Sequence, residues 1–236
     1  HKRNMLFGTP EYVIDKIHEL KSELNLQNLQ VWSNFPGIKH EDCMRSIKLF
    51  TEKVMPHFKK DFDTEVKKIS GGQAAVQSLK KENVKHVFGL IGSATMEMFD
   101  ALYHDKSIKF IGVRDERTGT HMADGYARAS NKPGVILAGQ NGPGATNLVT
   151  GIAQAKAAFS PVVAIAGSFS TKDKMEDAFQ GLDQQSLFTP ITKKTWTVKN
   201  SKIIPNVIGD AFNLAMKPRR GPVCINLPRN ILAATN

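Results

Sequence analysis

The stretch VRDERTGTHMADGYARASN, residues 113–131, decides the fold of this chain. The apolar run IKFIGV at residues 108–113 leads into it and is typical of a buried strand. Thr120, Ala123 and Ala127 then recur at helical spacing, which predicts a helix directly after the strand. Glu116 therefore lies where a strand ends and a helix begins, the edge at which open α/β sheets bind ligands. The simpler interpretation is a first-turn acid that favours the helix dipole.

The segments around this stretch alternate between apolar strands and helices. The pattern predicts strands over residues 86–91, 108–113, 134–138, 161–166, 196–198 and 222–226. Apolar strands that alternate with helices form a parallel sheet that is covered on both faces. Residues 63–236 are therefore expected to fold as one α/β domain with a doubly wound, six-stranded parallel sheet.

Residues 1–62 have a different pattern, which predicts a helix, a short strand and a second helix. The first helix is expected to start at Thr9-Pro10 and to end near Leu24, since Thr caps helices and Pro suits their first turn. The strand is predicted at residues 29–32 and the second helix at residues 41–58. The charged segment KKDFDTEVKK, residues 59–68, is interpreted as a linker, with the domain boundary near Asp63.

Composition and charge restrict the classes of function. No apolar run approaches the roughly 18 residues of a membrane span. The net charge of +10 comes from lysines that are scattered or paired, without interleaved aromatic residues, so a solvated surface is favoured over a nucleic-acid surface. Cys43 and Cys224 are far apart and lack metal-site spacing, which favours the reducing cytoplasm. Because the chain starts at His1, we expect it to be part of a longer or misjoined protein.

Several motifs in a fixed order carry a resemblance to a known family. They are RDE at residues 114–116, HMADGYAR at 121–128, QNGPGATN at 140–147 and AFQG at 178–181. Together they resemble the pyrimidine-binding domain of thiamine-diphosphate enzymes, most like the acetolactate synthase and sulfoacetaldehyde acetyltransferase branch. The resemblance extends over about residues 69–228. It implies a flavodoxin-like fold and an enzyme that acts on 2-oxo acids or related acyl donors.

The resemblance assigns the catalytic role to Glu116. In the family, a carboxylate hydrogen-bonded to the pyrimidine ring nitrogen relays a proton, and the matching residue here is Glu116. Acid–base assistance of this kind is worth about 10²–10⁴-fold in rate. The cofactor supplies the electron sink, whereas the protein supplies orientation and this one relay.

The resemblance also implies that three loops line the site. Gly92 and Ser93 follow the first strand, and Gln140 and Gly142 follow the third; these four residues are expected to bind the cofactor together with Glu116. The simpler alternative for Gly92 and Ser93 is an ordinary strand-to-helix turn.

Two further residues of the AFQG motif are assigned to the substrate. Phe179 and Gln180 are expected near it, although a plain surface loop is the alternative. Gln140-Asn141 stands where acetolactate synthases often have Thr-Ser, which leaves the acceptor substrate open. Asn147 is interpreted as structural, with its side chain bonded to loop backbone.

The cofactor implied is thiamine diphosphate, with FAD possible as an accessory group. The magnesium motif of the family, Gly-Asp-Gly followed by Asn-Asn, does not occur in this sequence, and no metal site is predicted. Magnesium is therefore expected on a diphosphate-binding domain of the same longer chain or of another subunit. The expected partners are a small-molecule substrate and further copies in a homo-oligomer, with no nucleic acid and no membrane.

The N-terminal part carries a separate resemblance. The segments GTPE at residues 8–11, WSNF at 32–35 and VMPH at 54–57 resemble the C-terminal end of luciferase-like flavin monooxygenases, which are TIM barrels. Residues 1–62 would then be the remnant of a barrel, and FMN would bind only if a complete barrel were present. A flavin-dependent monooxygenase is therefore one alternative function, and a non-catalytic flavodoxin-like binding module is another.

Overall fold

The structure of the chain, a computed structural model, describes residues 8–24, 37–59 and 69–235. The chain divides into two compact units, residues 1–67 and residues 68–236. The strand expected at residues 29–32 and the boundary expected near Asp63 lie outside the described residues. Separate origins for residues 1–62 and 63–236 stay a prediction.

The N-terminal unit contains helices α1 (Pro10–Leu24), α2 (His40–Leu49) and α3 (Met55–Lys59). Thr9 begins α1 as expected, because its Oγ1 accepts a hydrogen bond of 3.4 Å from the backbone nitrogen of Tyr12. Between α2 and α3 the chain forms a π-helical turn, Phe50–Val54, which the sequence pattern did not predict. Val13, Ile17 and Val54 are the buried apolar residues around which this unit packs.

The second unit is an α/β sandwich around one sheet. Its strands are β1 (His86–Leu90), β2 (Lys109–Gly112), β3 (Gly134–Ala138), β4 (Val162–Ser168), β5 (Thr195–Thr197) and β6 (Val223–Pro228). Its helices are α4 (Gly71–Lys81), α5 (Met96–His104), α6 (Glu116–Ser130), α7 (Pro143–Asn147), α8 (Val149–Ala157), α9 (Gln184–Phe188), α10 (Ile204–Met216) and α11 (Arg229–Ala233). All strand pairs are parallel, in the order β2-β1-β3-β4-β6-β5. The predicted doubly wound, six-stranded parallel sheet is confirmed.

The two faces of the sheet are covered by different helices. Helices α4, α5 and α10 cover one face, where Leu79, Met98 and Ile208 are fully buried. On the other face, Leu148 and Ile152 of the α7–α8 region pack with Ala123 of α6. Strands β3 and β4 are buried at every position, because each is covered on both sides. Among the described residues, no helix is long and apolar enough to cross a membrane.

Some local boundaries differ from the sequence pattern. The single helix expected after residue 144 is two helices, α7 and α8, with Leu148 between them. The short helices α9 and α11 were not predicted, because five residues show too little periodicity to separate a helix from a loop. The capping box of α4 was predicted correctly: Ser70 Oγ accepts from Gln73 N, and Gln73 Oε1 accepts from Ser70 N.

The strand order places a switch point between β1 and β3. From β1 the chain moves outward to β2, and it then returns past β1 to β3. The loops that leave β1, β2 and β3 therefore diverge at one edge of the sheet, the arrangement that forms a ligand crevice in doubly wound folds.

Candidate active site

Glu116 is the first residue of α6 and is almost completely buried, with 4% of its surface exposed. The preceding Asp115 caps the helix, since its Oδ1 accepts a hydrogen bond of 2.8 Å from the backbone nitrogen of Arg117. Arg117 Nη2 also lies 3.5 Å from Asp115 Oδ2, so the exposed ion pair at this turn does not include Glu116. The two adjacent acids therefore differ: Asp115 caps the helix at the surface, whereas Glu116 is buried.

The carboxylate of Glu116 has one protein partner in the described part of the chain. Asn147 Nδ2 donates a hydrogen bond of 3.0 Å to Glu116 Oε2. Glu116 Oε1 accepts none there, and a methyl group built on Gly144 would lie 3.2 Å from it. The interpretation of Asn147 as a residue that bonds loop backbone is wrong, because its side chain bonds this carboxylate. Sequence spacing could not reveal the pair, whose members are 31 residues apart.

The loops after β1 and β3 touch at two glycines. A Cβ atom on Gly92 would lie 2.4 Å from the carbonyl carbon of Gly139, closer than any real contact, so a side chain is excluded there. The backbone nitrogen of Ala94 donates to Gly139 O at 2.9 Å. This close approach brings Gly92 and Ser93 beside Gln140.

Three side chains of these loops form a chain of hydrogen bonds, which we call the amide relay: Ser93, Gln140 and Gln180. Gln140 Oε1 accepts from the backbone nitrogen of Ser93 at 3.1 Å and from its Oγ at 2.8 Å. Gln140 Nε2 donates to Gln180 Oε1 at 2.6 Å. A backbone N–H can only donate, so it fixes the orientation of the Gln140 amide and, through it, that of Gln180. The end of the relay is consequently Gln180 Nε2, a donor with no partner among the described residues.

The loop after β4 is clamped onto the loop after β3. Asn141 is buried, and its Nδ2 donates to the backbone oxygens of Phe179 and Gln180 at 2.8 and 3.0 Å. Gly142 has a φ of 61°, and a Cβ atom there would lie 2.8 Å from Gln180 O, so both conformation and space favour glycine. The Phe179 side chain is left 79% exposed beside this contact.

The structure thus brings together the residues that the sequence singled out. Ser93, Gln140 and Gln180 are joined by direct hydrogen bonds, and Gly142 packs against Gln180. Gly144 links this group to the carboxylate, since a Cβ atom there would lie 3.2 Å from both Gln140 Cβ and Glu116 Oε1. Two contacts have no signal in the sequence: that of Asn147 with Glu116, and that of Asn141 with the loop after β4.

Two further properties bear on the chemistry of the site. Burial raises the pKa of Glu97, which lies in the first turn of α5 directly after the Ser93 loop, while Arg229 opposes this rise. The described residues contain no group of three or more His, Cys, Asp or Glu side chains that could hold a metal ion.

Comparison with known proteins identifies the family. The family described as "Thiamine pyrophosphate enzyme, N-terminal TPP binding domain" matches residues 69–187, just over half of the chain. The chain is 45% identical over 163 residues to a probable acetolactate synthase large subunit of Methanocaldococcus jannaschii, which covers 69% of this chain and 27% of the relative. It is 42% identical over 168 residues to the acetolactate synthase isozyme 3 large subunit of Escherichia coli, which covers 71% and 29%.

These matches confirm that the α/β unit resembles the N-terminal domain of thiamine-diphosphate enzymes. The chain spans less than a third of the length of these curated relatives. The likeness of residues 1–62 to flavin monooxygenases stays a prediction, because the family match starts at residue 69. With its parallel sheet, its buried Glu116 and this match, the chain belongs to the family of thiamine-diphosphate enzymes as their N-terminal cofactor-binding domain.

Proposed function

We propose that the α/β unit binds the pyrimidine ring of thiamine diphosphate within an acetolactate synthase-like enzyme. Such an enzyme transfers or releases acyl groups of 2-oxo acids or related acyl donors. The observation that carries the proposal is the buried Glu116 carboxylate, which has one oxygen held by Asn147 and one oxygen without a partner in the described chain. It lies at the switch point of the sheet, where doubly wound folds bind ligands.

The residues around Glu116 fit an aromatic ring that carries a nitrogen acceptor. A carboxyl group can share a proton with such a nitrogen, whereas an amide of the same shape cannot. Gly144 adjoins the unpaired oxygen of the carboxyl group, since a Cβ atom there would lie 3.2 Å from Glu116 Oε1, so glycine at this position leaves that oxygen unobstructed. Thiamine diphosphate, when bound, supplies the carbon nucleophile and the electron sink of the reaction.

The tasks of this chain follow from the same geometry. Glu116 Oε1 holds or releases the proton at the ring nitrogen, while Asn147 occupies the other oxygen of the carboxyl group. Gly92, Ser93, Gln140 and Gly142 form the wall beside the ring. This part of the proposal is supported by the close contacts of Gly92 with Gly139 and of Gly142 with Gln180.

The amide relay supports a substrate role for Gln180. Its free Nε2 is a donor of fixed orientation, so it suits an acceptor such as the carboxylate or carbonyl oxygen of a 2-oxo acid. The exposed Phe179 beside it offers an apolar surface that a substrate or a further domain would cover. A substrate with a carboxylate or carbonyl group would thus be oriented by a hydrogen bond from Gln180 and covered by the ring of Phe179.

The remaining parts of the enzyme are proposed to lie elsewhere. A diphosphate-binding domain, in the same longer chain or in another subunit of a homo-oligomer, would hold Mg²⁺ and the diphosphate. FAD is an accessory group that the resemblance allows. The support is the length of the relatives, of which this chain matches less than a third. A cytoplasmic location stays a prediction of the sequence.

Titration of the 236-residue chain with thiamine, observed by NMR, tests the proposal. Thiamine carries the pyrimidine ring without the diphosphate, so it addresses the proposed half-site alone. We expect shifts of the resonances of Glu116, Gly92 and Gly142 and none at residues of the opposite sheet edge. The Glu116→Gln variant should bind more weakly. Absence of these shifts would overturn the proposal, and the same shifts with reduced FMN instead would favour the flavin alternative.

A further inference from the structure

Asn147 connects two elements that the chain places on either side of the candidate site. It is the last residue of α7, the helix that leaves the Gly142 loop, whereas Glu116 starts α6 after β2. Its Nδ2 donates to Glu116 Oε2 at 3.0 Å and is the one hydrogen-bond donor that the described chain offers to this carboxylate. The residue itself is exposed, so its amide is not needed to fill the core.

The chemistry of an amide makes this contact directional. An N–H group can only donate, so it pairs with an oxygen that carries no proton. A proton on Glu116 is consequently directed to Oε1, the oxygen beside Gly144. The two oxygens of the carboxyl group are thus made unequal by one neighbour, Asn147 at the end of α7, which bonds only Oε2.

Charged groups do not offer an alternative means of orienting Glu116. Arg117 is engaged by Asp115 and Arg128 by Asp124, and in the described part of the chain no ion pair joins Glu116 to Arg114 or to His121. Helix α7 and strands β3 and β4 carry no charged residue. The titratable side chain of β1, His86, is at the opposite end of that strand, and Lys156 of α8 donates to a backbone oxygen. Within the described residues, the amide of Asn147 is therefore the group that sets the orientation of the carboxylate.

We propose that Asn147 is a positioning residue that acts through Glu116. It holds Oε2, so that Oε1 is the oxygen that meets the pyrimidine nitrogen and exchanges the proton. This inference rests on the proposed function of Glu116, but its first test does not. Gly144 leaves room at Oε1, because a methyl group at that position would lie 3.2 Å from this oxygen.

The first test measures the conformation of the Glu116 side chain in the unliganded chain. Three-bond NMR couplings should report one rotamer in the wild-type protein. In Asn147→Ala and Asn147→Asp the couplings should change to values averaged over several rotamers. Gln154→Ala is the matched control. The amide of Gln154 donates to Asp124, the other buried carboxylate of α6, so this substitution should leave the rotamer of Glu116 unchanged. A single, unchanged Glu116 rotamer in both Asn147 variants would overturn the proposal.

The second test asks whether Asn147 acts on the ligand through Glu116. Asn147→Ala should weaken thiamine binding by about 3- to 30-fold, a coupling typical of residues in direct contact. In a Glu116→Ala background, the same substitution should change the affinity by less than about twofold. A purely structural role would weaken binding equally in both backgrounds and would overturn the proposal. If the wild-type chain does not respond to thiamine, the proposed function fails, and the rotamer test still decides the role of Asn147.

Discussion

Helix α6 carries two buried carboxylates, and the regions around them differ in how completely each is bonded. Glu116 in the first turn is 4% exposed and Asp124, two turns later, is 3% exposed. Asp124 accepts from Arg128 Nε at 2.9 Å, from Arg128 Nη2 at 2.8 Å and from Gln154 Nε2 at 3.2 Å. Glu116 accepts from one amide only, within the described chain. Burial alone therefore does not separate an acid bonded within the fold from the acid that we propose meets the cofactor.

The difference follows from position along the helix. Eight residues of α-helix span about 12 Å, so Asp124 lies away from the sheet edge where the loops of the site meet. There it joins α6 to α8 through Gln154. At the ligand edge, Glu116 keeps an oxygen that a bound molecule can satisfy. Both oxygens of Asp124 are already bonded by protein side chains, whereas one oxygen of Glu116 is left for a ligand among the described residues.

The largest expected effect is on proton transfer. In a complete enzyme that contains this domain, Glu116→Gln should slow hydrogen–deuterium exchange at C2 of bound thiamine diphosphate by about 10²–10⁴-fold, the range of a lost acid–base group. Asp124→Asn should leave the exchange rate within about twofold of wild type, since Asp124 lies away from the site. Equal slowing of the exchange in both variants would contradict the assignment of the proton transfer to Glu116 alone.

The next effect is on stability. Here the substitution of Asp124 should have the larger effect and that of Glu116 the smaller one. Asp124→Ala removes three hydrogen bonds to a charged acceptor and should lower the free energy of unfolding by about 1.5–3 kcal/mol. Glu116→Gln should change it by less than about 0.5 kcal/mol, since it keeps the shape and removes a buried charge. Urea unfolding of the chain measures both, provided that the m-value stays constant. A larger loss for Glu116→Gln would show that Glu116 is the structural acid.

Much of the fold could be predicted because short continuous apolar runs alternate along the chain with segments of helical spacing. The runs that became β3 and β4 are continuous and apolar, as strands covered on both faces must be. The position of Glu116 between a strand and a helix could be predicted for the same reason. Residues 140 and 180 entered the site through ordered motifs of a known family, and residue 92 through the loop that the family places after the first strand; spacing alone would not have found them.

The hydrogen bonds that complete the site could not be predicted. Asn147 and Asn141 are six residues apart and have the same side chain, yet one bonds a carboxylate and the other clamps a backbone loop. Which partner each meets depends on how α6 and the loop after β4 pack, and this packing has no local signal. The relay from Ser93 through Gln140 to Gln180 likewise joins residues that are 47 and 40 positions apart.

A third prediction uses pH. Burial alone would raise the pKa of Asp124, but hydrogen bonding from Arg128 and Ser160, the charge of Arg128 and the amide of Gln154 together outweigh it, and the pKa is lowered. In the unfolded chain, the pKa of an Asp side chain is about 3.9. Asp124 therefore contributes stability above about pH 4, and this contribution disappears as the pH falls towards the lower folded pKa.

The difference in unfolding free energy between wild type and Asp124→Asn should consequently be constant from pH 7 to about pH 5 and should shrink below about pH 4. Comparison with a single variant cancels the other carboxylates that titrate in this range. Urea unfolding at successive pH values measures the difference. A gap that stays constant down to pH 2 would mean that Asp124 gains nothing from its partners.

The smallest effect concerns Gln154, which has the longest of the three bonds to Asp124. Gln154→Ala should lower the unfolding free energy by about 0.5 kcal/mol, because Arg128 still bonds both carboxylate oxygens and Ala favours the helix. Gln154→Glu keeps the length but places a second carboxylate beside Asp124, so it should cost more at pH 7 and should recover below about pH 4. Thiamine binding should be unchanged in both variants. A loss of thiamine binding in Gln154→Ala, with stability intact, would show that the two ends of α6 are coupled and that the division between its two carboxylates is wrong.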